Sequence, residues 1–112
     1  MDFKKERLDI VHTIFNILNL SDSNNSFILS DFNDSHHKKQ QIIDLIPLIR
    51  KFFDCKQWNC IKDAKLKNRE ISIIRTVLKY MDFELSYKQK NKKLPNGKYD
   101  TKIIYFVNTK NN

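Results

Sequence analysis

The sequence predicts an α+β domain in which three or more helices are followed by a long β-hairpin, with Phe27 to Leu29 offering a third strand for a small antiparallel sheet. Three observations carry this expectation. Apolar residues recur at spacings of three and four over residues 3–20, 36–53 and 68–81, which is the period of one helical face. Period-two alternation follows at Phe83, Leu85 and Tyr87, and a second strand-like run, 101–108, lies beyond the turn residues Pro95, Asn96 and Gly97. Charge is also divided along the chain. Residues 1–49 hold 5 basic and 7 acidic side chains, net −2, and residues 50–112 hold 16 and 6, net +10, within an overall charge of +8.

In the first helix, Leu8, Val11, Ile14, Phe15 and Leu18 form the apolar stripe, and Ile10 and Ile17 widen it. Its polar face mixes Lys4, Lys5, Glu6, Arg7 and Asp9, so it reads as a packing helix with one face in solvent. His12 has no second His or carboxylate at metal-ligand spacing and reads as a surface or boundary residue. The cluster SDSNNS is a loop by composition, and SDFNDS supplies Asp34 or Ser35 as an N-cap. From His36 to Phe53, Ile42, Ile43, Leu45, Ile46, Ile49, Phe52 and Phe53 define a broad apolar face. Pro47 either kinks this helix or starts a second one, because proline has no amide hydrogen to donate. His36 and His37, beside Lys38 and Lys39, read as the polar flank of a helix start, since two adjacent imidazoles are too few to hold a metal.

The segment CKQWNC offers Cys55 and Cys60. A zinc site needs two further ligands, and the spacing is not Cys-x-x-Cys, so buried structural thiols are expected, with Trp58 and Ile61 pinning the connector to the core. Lys62, Lys65 and Lys67 then precede Asn68, an N-cap candidate. In the helix that follows, Ile71, Ile74, Val77, Leu78 and Met81 form the buried stripe with Ile73 beside it. Asn68, Ser72, Arg75, Thr76 and Lys79 fall on the opposite face, a set of groups that can meet phosphates and base edges.

Beyond that helix, Lys88, Lys90, Lys92, Lys93 and Lys98 follow one another with no acid until Asp100, and Tyr99 sits among them. Five lysines on a projecting hairpin can track a phosphate backbone. The plainer reading is a solvated hairpin whose lysines discourage pairing at a sheet edge. Residues 103–107 are continuously apolar, so this strand is expected to be covered on both faces, one by helices and the other by the N-terminal helix or a second subunit.

The length of 112 residues fits one domain, and 40% hydrophobic content with eight Phe, four Tyr and one Trp supports an aromatic-rich core. A single Gly and two Pro disfavour folds that need many left-handed loop positions. No apolar run approaches the roughly 18 to 20 residues that cross a bilayer, and the N-terminus lacks the apolar core of a secretory signal. The expected location is intracellular, cytoplasm or nucleus, where two thiols remain reduced. There is no glycine-rich phosphate loop, paired-carboxylate constellation or nucleophile with a recognisable base, so the expectation is a non-catalytic protein without cofactor or metal.

The order of helices, strand, basic turn and strand resembles the winged-helix family of DNA-binding domains. The residues carrying the resemblance are Asn68 to Met81 as recognition helix and Phe83 to Val107 as wing, with Phe27 to Leu29 as third strand. It covers residues 27–108, with 1–20 an added helix or the first helix of the core and 109–112 a polar tail. The resemblance implies that the third helix enters the major groove and the wing meets backbone or minor groove. It places Ser72, Arg75, Thr76 and Lys79 at the groove, Lys67 and Arg69 on adjoining phosphates, and Lys88, Lys90, Lys92, Lys93 and Lys98 on the wing contacts. Duplex DNA is the favoured partner, in transcription regulation or replication. The alternatives are a winged-helix protein-interaction or dimerisation module working through strand 103–107, and an RNA-binding protein using Tyr87, Tyr99 and the lysines. One departure is visible: residues 54–67 separate two helices that a helix-turn-helix joins by three or four residues.

Overall fold

The computed structural model describes residues 3–53 and 69–109, with the side chain of Arg69 outside that set. The fold is α+β. Its elements in order are α1 (Lys4–Ile17), β1 (Ser26–Ile28), α2 (Leu29–Asn33), α3 (His36–Asp44), α4 (Ile46–Phe52), α5 (Arg69–Tyr80), β2 (Phe83–Lys93) and β3 (Tyr99–Thr109). The three strands make one antiparallel sheet in the order β1-β3-β2, so the short strand near the N-terminus pairs with the last strand of the chain. The layout is winged-helix-like.

Helix α1 ends where Asn19 takes a left-handed conformation, φ 57°. The Leu20 amide then donates to the Phe15 carbonyl and the Asn19 amide to the Asn16 carbonyl, which satisfies two carbonyls of the last turn. Ile10, Val11, Ile14, Ile17 and Leu18 are buried, so α1 belongs to the core itself. Helix α2 was not expected from the SDFNDS segment. Its five residues place Phe32 in the core against Phe27, ring centroids 6.3 Å apart, and a helix this short owes its form to that packing. Of the two N-cap candidates it is Ser35 that caps α3, accepting from the Lys38 amide at 3.2 Å. Pro47 separates two helices: α3 stops at Asp44 and α4 starts at Ile46, with the proline in its first turn where no amide partner is lost. Phe53 lies just past α4 and is fully buried.

Arg7 joins these elements. Its Nε donates to the carbonyl of Phe52 at the end of α4. Its guanidinium carbon lies 5.1 Å from the Tyr80 ring centroid, 5.8 Å from that of Phe53 and 6.0 Å from that of Phe3. Phe53 and Tyr80 also meet edge to face at 5.2 Å, so α1, α4 and α5 converge on one arginine.

Ile71, Ile73, Ile74, Val77 and Leu78 of α5 are all buried, as the spacing predicts. The helix gives way to β2 at Asp82, whose φ of 64° reverses the chain within a residue or two. The hairpin β2–β3 is longer than the sequence suggests. Pairing runs without interruption from Phe83 opposite Thr109 to Lys93 opposite Tyr99, about 36 Å of two-stranded ladder. Lys88, Lys90, Lys92 and Lys93 therefore sit on β2, and only Leu94 to Lys98 turn. Gly97, at φ 81°, donates its amide to Leu94, the Leu94 amide bonds the Lys98 carbonyl, and the Asn96 side chain accepts from the Lys98 amide. Pro95 and Gly97 thus do what their chemistry predicts.

Alternation divides the sheet into an inner and an outer face. Inside, Phe27 stacks on Tyr105 at 5.4 Å and Tyr105 meets Tyr87 at 5.9 Å, an aromatic row across all three strands. Phe15 of α1 meets Phe83 edge to face at 5.4 Å on this same side. Among the described residues, the apolar run 103–107 is covered on its inner face only. Tyr105 and Val107 point inward and are buried, whereas Ile104 and Phe106 point outward and remain partly exposed. Helix α1 packs on the inner side, so it does not supply the expected second cover. Among the described residues nothing else does.

Candidate nucleic-acid interface

Basic side chains outside the core fall into two groups, one on α5 and one on the hairpin. The first is on α5. Arg75 and Lys79 are exposed, one helical turn apart, and line a cleft of about 210 Å³ with Phe83, Glu84 and Leu85 at the base of β2. Ser72 and Thr76 share that helix face but are half-buried, and the Thr76 hydroxyl donates to the Ser72 carbonyl at 2.8 Å. Thr76 is thereby turned along the helix, which leaves Arg75 and Lys79 as the reaching groups. Lys67 and Asn68 lie outside the described residues, as do the Arg69 side chain, the Cys55–Cys60 segment with Trp58, Lys62, Lys65, and the connector 54–67.

The second group is on the hairpin. Strand register puts Lys88, Lys90 and Lys92 on the outer face. Lys93 falls on the inner face opposite Tyr99, and Lys98 belongs to the turn. The five predicted wing lysines therefore do not act from one side. In their place the register adds Lys102, directly opposite Lys90, to the outer row. The sequence held the signal for it: once the turn is centred on Asn96, counting back along both strands pairs residues 90 and 102. The outer row is thus Lys88, Lys90, Lys92 and Lys102, all exposed, with Asp100 opposite Lys92 as the one acid among them. Successive same-face residues on a strand stand about 6.6 to 6.8 Å apart. Lys90 and Lys102 are like charges in directly opposed positions, an arrangement that costs the hairpin stability unless an anion lies across it.

The inner face of the distal hairpin is different in kind. Thr101 donates to the Asn91 side chain at 2.8 Å, with Gln89 3.4 Å from the same oxygen, while Tyr87 and Tyr99 are 61% and 65% exposed. Lys93 aside, the strands of the hairpin therefore carry cations outward and neutral polar and aromatic groups inward. Lys88 lies about 10 Å along β2 from Leu85 but on the opposite face of the sheet, and Glu84, which lines the Arg75–Lys79 cleft, is on the same outward register as the lysine row. Among the described residues no cluster of His, Cys, Asp or Glu could hold a metal ion, and no helix is long and apolar enough to cross a membrane.

An α+β fold with a basic helix face and a cationic hairpin is the class that these observations define. No protein-family model, curated protein or solved structure matches the chain.

Proposed function

We propose that this chain is a non-catalytic nucleic-acid-binding protein of winged-helix type that takes duplex DNA as its partner. The observation that carries the proposal is the outer row of the hairpin. Six lysines against one aspartate occupy residues 88–102, and four of the six share one face at a regular spacing. The directly opposed pair Lys90 and Lys102 acts against the hairpin's own stability. A phosphate backbone laid along that row would be neutralised at successive positions, with release of its counterions. In the same reading Arg75 and Lys79 on α5 approach the duplex from the base of the hairpin. Arg75 can bond a guanine edge or a phosphate bidentately, and Lys79 is a point charge suited to phosphate.

Titration of a labelled duplex tests the reading. Arg75→Ala is expected to weaken binding by roughly 1–3 kcal/mol, about five- to 150-fold, if the arginine meets a base edge. Unaltered affinity in both Arg75→Ala and a Lys88, Lys90, Lys92 and Lys102 quadruple Gln variant would sink it. The interaction-module alternative is favoured by one specific observation, the partly exposed Ile104 and Phe106 on the outer face. It predicts a concentration-dependent dimer in light scattering and no affinity for DNA.

A further inference from the structure

The base of the outer sheet face has a chemistry of its own. The register lays it out in rows: Ser26, Phe106 and Ser86 across the three strands, then Ile28, Ile104 and Lys88, then Lys102 and Lys90. Phe106 is on the central strand, flanked on either side by serines, the smallest hydroxyl side chains. Its ring is partly exposed, and the Lys88 Nζ lies 5.8 Å from its centroid. Over two same-face steps, about 13 Å, the surface changes from an aromatic platform with small neighbours to an opposed pair of ammonium groups. No described element packs over it. An occupant must therefore combine a flat apolar group with anionic charge repeated at short intervals beside it. An unpaired nucleotide segment has that combination, because every base offers a π-face and every linkage a phosphate.

We infer that the outer sheet face is a second site, for a short single-stranded segment of nucleic acid. One base stacks on Phe106, and the adjoining phosphate lies on Lys88, while Lys90, Lys92 and Lys102 stay with the duplex backbone. This rests on the duplex reading and deepens it, since it names the substrate class as a duplex with an unpaired extension. Fluorescence anisotropy with three labelled probes tests it: a blunt duplex, that duplex with an unpaired thymidine tail on either end, and the thymidine oligomer alone. The chain is expected to bind one tailed duplex about tenfold more tightly than the blunt one. Phe106→Leu keeps an apolar side chain but no ring, and should remove that advantage while blunt-duplex affinity stays unchanged. Removing one stacked base by substitution is worth roughly five- to 150-fold. Ser86→Glu, at an exposed position beside the ring and one same-face step from Lys88, should weaken the tailed duplex more than the blunt one by repelling phosphate without touching the core.

Equal affinity for blunt and tailed duplexes overturns the proposal. So does equal weakening of all three probes by Phe106→Leu. Displacement of the thymidine oligomer by a glutamate-rich peptide at equal charge also overturns it, in favour of an acidic protein partner. Binding of the thymidine oligomer that is lost in Phe106→Leu, with no affinity for blunt duplex, supports the sheet site and removes the duplex reading.

Discussion

Arg7→Ala should be the most damaging single substitution on a charged side chain of the described fold. The side chain makes one charge-assisted hydrogen bond, to the Phe52 carbonyl, and stands over three aromatic rings at 5.1 to 6.0 Å. A hydrogen bond to a charged group contributes about 1.5–3 kcal/mol, and each cation–π contact about 0.5–1 kcal/mol where solvent reaches it. These contributions share one guanidinium and are not additive, so a total of about 2–4 kcal/mol is expected. The Phe52 carbonyl is one of the last carbonyls of α4, so the substitution also leaves that carbonyl without its arginine donor. Against a typical stability of about 5–15 kcal/mol, that loss lowers the melting temperature by roughly 10–20 °C. Arg7→Lys keeps the charge but not the planar fork and should recover less than half of the loss. Urea unfolding followed by circular dichroism measures all three proteins. A shift below about 0.5 kcal/mol for Arg7→Ala, the range of ordinary surface changes, would refute the view that this arginine ties α1, α4 and α5 together.

Two further substitutions address the local structure. Ser35→Ala removes the α3 cap and should cost about 1 kcal/mol in the same unfolding measurement, with Ser35→Asp restoring it. Lys90→Glu turns the like-charge pair with Lys102 into an opposite-charge pair, so it should stabilise the hairpin by about 0.2–1 kcal/mol while weakening binding to DNA. A variant both less stable and equally tight would show that Lys90 serves the fold alone.

The helical parts of this fold are legible because their signals are local. The stripe from Ile71 to Leu78, the Ser35 cap, the Pro47 break and the Pro95 to Gly97 turn each follow from a few neighbouring residues, and each stands in the fold as its chemistry suggests. Helix α2 was illegible because five residues carry no periodicity and Phe32 is held by tertiary contact with Phe27. The run 103–107 is legible in part. Continuous apolarity usually marks a strand covered twice, but α1 lies on the inner side, and among the described residues Ile104 and Phe106 stay partly open on the outer face, the one a second subunit would meet. Of the candidate site, Arg75 and Lys79 emerge on the expected face of α5, and Lys88, Lys90 and Lys92 share the hairpin row. Which lysines share a side depends on strand register. Composition does not encode that, so the sequence alone groups Lys93 and Lys98 with the row and omits Lys102.

The central claim is that the outer hairpin row meets a phosphate backbone, and the salt dependence of duplex binding tests it most directly. Each phosphate neutralised contributes about 0.9 to the slope of log affinity against log salt. Replacing Lys88, Lys90, Lys92 and Lys102 with Gln should therefore flatten that slope by about 3 to 4, along with a loss of affinity at every salt concentration. A quadruple variant that binds as the parent does, with the same slope, would contradict the account.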